Sequence, residues 1–174
     1  MNRICLLIAL LLLSLVDLSA QNISDKQGRR QGEWVEYHDN GKVRMRGSFK
    51  NGNPEGEFSF YDEYGALKAK KLFSNNGQDA ETTIYSAQGR IIAKGMYHNK
   101  IRNGQWQYFD ENTGKLILVE NYNEGVLDGY SCTYYDDGVP QFEGLYKNGM
   151  KSGEWKTYDP EGNVISIDKY GVSD

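Results

Sequence analysis

The chain has 174 residues, with 20 glycines, 13 tyrosines, 3 prolines, 2 cysteines and 2 histidines, and a formal net charge of −4. So few cysteines and histidines leave no disulfide framework and no metal-ligand cluster. Overall acidity and the absence of a glycine-rich phosphate loop argue against nucleic acid as partner and against a nucleotide enzyme.

Met1-Asn2-Arg3 opens the chain with a positive charge, Ile4 to Val16 is apolar apart from Ser14, and Ser19-Ala20 precedes Gln21. This is the layout of a secretory signal peptide cleaved near Ala20, its apolar run short of the ~20 residues a spanning helix needs. Cleavage removes Cys5 and leaves Cys132 alone. An exported chain without a cysteine pair suits the periplasm or envelope of a bacterium. Residues 21–31 then form a lead-in whose basic stretch, Lys26 to Arg30, shields one sheet edge.

From residue 32 to 174 one pattern recurs six times, at a spacing of 24 residues with a single 25. An aromatic stands at Tyr37, Tyr61, Tyr85, Phe109, Tyr134 and Tyr158. A glycine follows at Gly41, Gly65, Gly89, Gly114, Gly138 and Gly162, and a second aromatic at Phe49, Phe73, Tyr97, Tyr122, Tyr146 and Tyr170. A period of ~20–50 residues marks a repeat array. Within the first copy, Gly32 to His38 and Lys42 to Lys50 are strand-like runs around Asp39-Asn40-Gly41. Asn-Gly between two such runs predicts a two-residue hairpin turn with positive φ at both positions.

That turn sets Gly32 opposite Phe49 and Trp34 opposite Gly47. The later copies then pair Phe73 with Gly56, Tyr97 with Ala80, Tyr122 with Gly104, Tyr146 with Gly129 and Tyr170 with Gly153. The extra residue of the fourth copy is absorbed in its Asp110–Thr113 turn. A large ring over a strand glycine shields backbone and pins register, which assigns these glycines to scaffold. In the third copy Ala80, Thr82 and Lys100 replace the expected glycine, tryptophan and glycine, predicting a looser hairpin. Gly47, Gly95 and Gly144 recur in alternating copies, so the true unit is expected to be a pair of hairpins. The fold class is all-β: an elongated single-layer antiparallel meander of about twelve strands, each touching its neighbours.

The pattern Gly-Glu-Trp-x-x-Tyr-x-x-x-Gly at Gly153–Gly162, with Tyr-x-Asn-Gly at Tyr146–Gly149, resembles MORN repeats, in particular the variant of YwqK-type antitoxins. The resemblance implies binding of proteins or lipids rather than chemistry of the array's own.

Little else in the sequence suggests catalysis. His38 and His98 occupy different places in different repeats, Cys132 lies mid-strand without a partner, and the acidic turns follow turn preference rather than a calcium-loop spacing. No enzyme, cofactor or metal is expected. Charge is more informative: residues 21–103 carry 14 Lys and Arg against 10 Asp and Glu, and residues 104–174 carry 5 against 13. In the expected register Tyr37, Arg44, Arg46, Tyr61, Lys68, Lys70, Tyr85, Arg90 and Lys94 share one face, a docking strip for a protein partner. The function expected is that of an exported protein-binding module, antitoxin- or immunity-like, with a toxin as one candidate partner. An envelope scaffold binding glycan or anionic lipid headgroups through Trp34, Trp106 and Trp155 is the alternative. Head-to-tail self-association of the basic and acidic halves is a third.

Overall fold

The computed structural model describes residues 21–171; the signal-peptide assignment falls outside them. Fourteen strands form one antiparallel sheet. They are β1 (Ile23–Ser24), β2 (Arg30–Tyr37), β3 (Val43–Lys50), β4 (Asn53–Tyr61), β5 (Leu67–Ser74), β6 (Asp79–Tyr85), β7 (Ile91–His98), β8 (Ile101–Phe109), β9 (Leu116–Asn123), β10 (Val126–Leu127), β11 (Gly129–Tyr134), β12 (Pro140–Lys147), β13 (Met150–Tyr158) and β14 (Val164–Tyr170). Each long strand pairs with its sequence neighbours, so the sheet is an open meander. The twelve expected strands are joined by two short ones. β1 comes from the lead-in and covers the edge of β2, and β10 pairs antiparallel with the end of β9. Backbone pairing and the Asn22 amide, bonded to Val35 N and O, cover that edge, rather than the basic side chains alone.

All six ring–glycine or ring–alanine pairs stand as the register predicts, including Gly32 with Phe49 and Gly104 with Tyr122. The turn that sets them differs. Of Asn40 and Gly41 only Gly41 has positive φ. Gly41 N–H donates to His38 O and His38 N–H to Lys42 O, which is a three-residue loop ending in a left-handed glycine. This longer loop alone would shift the strands by one residue. A bulge at Arg44 restores the count, because Tyr37 pairs with Val43 and Glu36 with Met45. The two-residue turns with positive φ lie instead between repeats, at Asn51-Gly52, Asn99-Lys100, Glu124-Gly125 and Asn148-Gly149.

The glycines also divide differently. A Cβ on Gly32, Gly56, Gly104 or Gly153 would meet no atom within 4 Å, so no ring shields them. Gly56, Gly104 and Gly153 instead hold φ near +70° where the register slips by two residues against the preceding strand. That slip swings the following ring, Phe58, Trp106 or Trp155, onto Gly47, Gly95 or Gly144, where a Cβ would lie 2.2–2.4 Å from ring carbon. Hence the alternation of glycines: each is the seat of a ring from the next hairpin. The third copy has Ala80 at the slip position, and β5 pairs with β6 without a break. The slip is absent at this junction because without glycine the positive-φ backbone does not form. The third hairpin itself, β6 with β7, is not loosened: it pairs from Asp79–His98 to Tyr85–Ile91 with the single bulge the other hairpins have.

Candidate interaction surface

Cross-strand partners share a face, so the register defines two. On one lie Trp34, Phe58, Trp106 and Trp155; on the other Val35, Tyr37, Tyr61 and Tyr85. The Trp face is the better buried: Phe58 is 2% and Trp106 0% exposed. The Trp106 and Trp155 rings are seated on glycine, and their Nε1 donate to Met96 O and Leu145 O at 3.1 and 3.0 Å. Over the rings lie cations: Arg30 is 4.5 Å from the Trp34 centroid, Arg102 4.7 Å from Trp106 and Lys151 4.2 Å from Trp155. Arg102 also donates to the Tyr108 and Tyr122 hydroxyls at 3.0 and 3.1 Å, and Tyr122 donates to Glu120. Burial pushes the Tyr108 phenol up. The sequence carried this signal unread: Arg30-Gln-Gly-Glu-Trp34, Arg102-Asn-Gly-Gln-Trp106 and Lys151-Ser-Gly-Glu-Trp155 share a basic residue, glycine and tryptophan at alternate positions. Trp106 and Trp155 are thus committed on both ring faces to the protein itself, while Trp34 carries only the Arg30 cation.

The Tyr face holds one continuous row of directly opposed residues: Val35, Arg46, Ser59, Lys70, Thr83, Lys94, Gln107, Val119, Cys132, Glu143, Lys156 and Ile167. Six of the nine predicted site residues, Tyr37, Arg46, Tyr61, Lys70, Tyr85 and Lys94, are on this face. Lys70 is paired with Glu57 at 2.8 Å. Arg46 and Lys94 are exposed and, among the described residues, have no carboxylate within ion-pair distance.

The other three are placed differently. The bulge turns Arg44 toward the Trp face, where it meets Glu36 at 2.6 Å beside Arg30. Lys68 occupies the matching bulge of the second hairpin, next to the Asp62 turn. Arg90 is spent on structure: its guanidinium donates to the Glu111 and Asn112 carbonyls of the next turn. Lys42 does the same to Tyr64 O at 3.0 Å.

Further along, the row is closed. Tyr130 and Tyr158 both donate to Glu143. The Tyr158 hydroxyl first, then Tyr130, hold this carboxyl below its usual range, and Tyr158 itself is pushed up to about 12. Cys132, 1% exposed, packs in the row between Val119 and Glu143. The turn acids have local work: Asp62 accepts from Tyr64 N and Ala66 N, and Asp110 from Asn112 N and Thr113 N. His38 bonds Tyr61 O, and His98 sits 2.6 Å from Asp79.

The fold and its two faces define an open array of β-hairpin repeats, whose surfaces are repeated side chains rather than a cleft. Three stretches of it, residues 30–51, 127–148 and 151–170, match the model of the MORN repeat variant. No curated protein matches the chain. A solved structure titled "Crystal Structure of TarM" is similar at 13% identity over 56% of this chain and 19% of that one, with a TM-score of 0.41.

Proposed function

We propose that this chain is a MORN-type repeat protein acting as an exported, non-enzymatic module that binds a protein partner through the Tyr face, between β3 and β8. The observation that carries the proposal is the row of cations at Arg46, Lys70 and Lys94, of which the first and last are exposed and have no ion-pair partner among the described residues. Like charges held in line attract an acidic surface and orient it on approach. The amino-terminal layout supports export, and the likeness to YwqK-type antitoxins supports neutralisation of a toxin by covering its working surface.

The test is affinity capture from the native cell envelope, comparing wild type with the Arg46→Glu/Lys94→Glu variant. The partner is retained by the first and lost from the second, with the circular dichroism spectrum unchanged. A partner held equally by both proteins would refute this face as the site.

A further inference from the structure

The spacing of the row specifies more than charge. Arg46, Lys70 and Lys94 stand on β3, β5 and β7, every second strand, with Ser59 and Thr83 between them. Strands lie ~4.8 Å apart, so successive cations are separated by roughly 9.6 Å across the sheet. An aromatic from the following hairpin accompanies two of them, forming equivalent hollows. One of about 420 Å³ is lined by Lys42, Arg46 and Tyr61, the other of about 670 Å³ by Arg90, Lys94 and Phe109. Lys94 Nζ lies 5.9 Å from the Phe109 ring centroid. The same ring-and-cation hollow is therefore offered at Arg46 and again at Lys94, with Lys70 midway between them.

Three backbone forms can be laid along such a ruler. An extended strand points alternate residues to opposite sides, so its same-side spacings are ~6.7 or ~13 Å and miss the period. A helix brings every seventh residue back after ~10.5 Å, and over two steps drifts by nearly 2 Å. A polyproline II segment has three residues per turn and a 3.1 Å rise, returning the same side every ~9.3 Å. Its drift over two steps is about 0.6 Å, within reach of lysine and arginine side chains. Grooves between evenly spaced rings are also how such segments are received elsewhere.

We infer that the Tyr face is built to receive an acidic polyproline II segment with a carboxylate at every third residue, lying across β3 to β8. This rests on the proposal that the Tyr face is the docking surface and names its ligand class.

The test is fluorescence anisotropy at low and physiological salt, using the chain from Gln21 onward and labelled peptides. The probes are a peptide of roughly six Pro-Pro-Glu triplets, a scrambled peptide of the same composition, and a helical peptide with glutamate at every seventh residue. The periodic peptide binds at least about tenfold tighter than the other two, because its carboxylates engage Arg46, Lys94 and, in exchange for the exposed Glu57 pair, Lys70 at once, and it loses that margin in Arg46→Ala/Lys94→Ala. Equal binding of the scrambled peptide, or tighter binding of the helical one, overturns the polyproline ligand while leaving the docking face intact. Periodic binding that ignores Arg46 and Lys94 overturns the assignment to this row. If no probe binds while the envelope partner is still lost on charge reversal, the ligand class is wrong and the function stands.

Discussion

Replacing Gly95 with alanine tests how the hairpins are locked together. Its new Cβ would stand 2.2 Å from Trp106 Cδ2 and 2.4 Å from Cε2, where ordinary contact begins near 3.4 Å, so the ring must retreat by about 1.2 Å. The ring has little room. It is fully buried, donates to Met96 O at 3.1 Å, meets Tyr97 edge-on at 5.1 Å and lies under Arg102. Overpacking of this kind costs ~1–3 kcal/mol, and losing the indole hydrogen bond adds about 1. A loss of roughly 3 kcal/mol is therefore expected from Gly95→Ala, and ~3–5 from Trp106→Ala alone. In the double variant the clash has no second party, so the losses fall short of additive by about 2 kcal/mol. Urea titration followed by far-ultraviolet circular dichroism reads all four corners of the cycle. Strict additivity, or a Gly95→Ala loss under ~0.5 kcal/mol, would show that the ring does not sit on this glycine.

Gly41→Ala should cost only ~1–2 kcal/mol by the same titration, since its φ of +80° is strained for alanine but its Cβ meets nothing within 4 Å. Arg90→Ala should lower the melting temperature by freeing the Glu111 and Asn112 carbonyls, whereas Lys94→Ala should leave it unchanged and weaken partner affinity. The Glu143 carboxyl is held low first by the Tyr158 hydroxyl and then by Tyr130. Its stabilisation is fully present above the unfolded value of 4.5 and fades as pH falls through the lower folded value. Glu143→Gln should therefore be less stable than wild type near neutrality, with the gap closing below about pH 4 in thermal melts.

Most of the scaffold was legible because glycine and ring columns repeat in phase with the hairpins. Register was correctly read from a mistaken turn, since the left-handed Gly41 serves either loop type and the bulge at Arg44 cancels the difference. That cancellation also hid the reversal of Arg44: strict alternation assigned it to the Tyr face, and one inserted residue carried it to the other. The seat of each tryptophan was out of reach for a different reason. Gly95 and Trp106 belong to different hairpins, joined only through the two-residue slip at Gly104, and hairpin-by-hairpin alignment does not span that junction. Of the candidate strip, Arg46, Lys70 and Lys94 lie on the face that alternation assigns them because they stand mid-strand, away from turns and bulges. Arg90 and Lys68 lie where the chain bends, and there local backbone geometry governs the side chain.

The most direct measurement is zero-length carbodiimide cross-linking of the captured complex, which joins a partner carboxylate to a lysine amine in contact with it. Docking on the Tyr face predicts partner cross-links at Lys70 and Lys94, which lie there, and none at Lys71 or Lys151, which lie over rings of the Trp face. Cross-links concentrated at Lys71 and Lys151 would place the partner on the opposite side of the sheet and contradict the account.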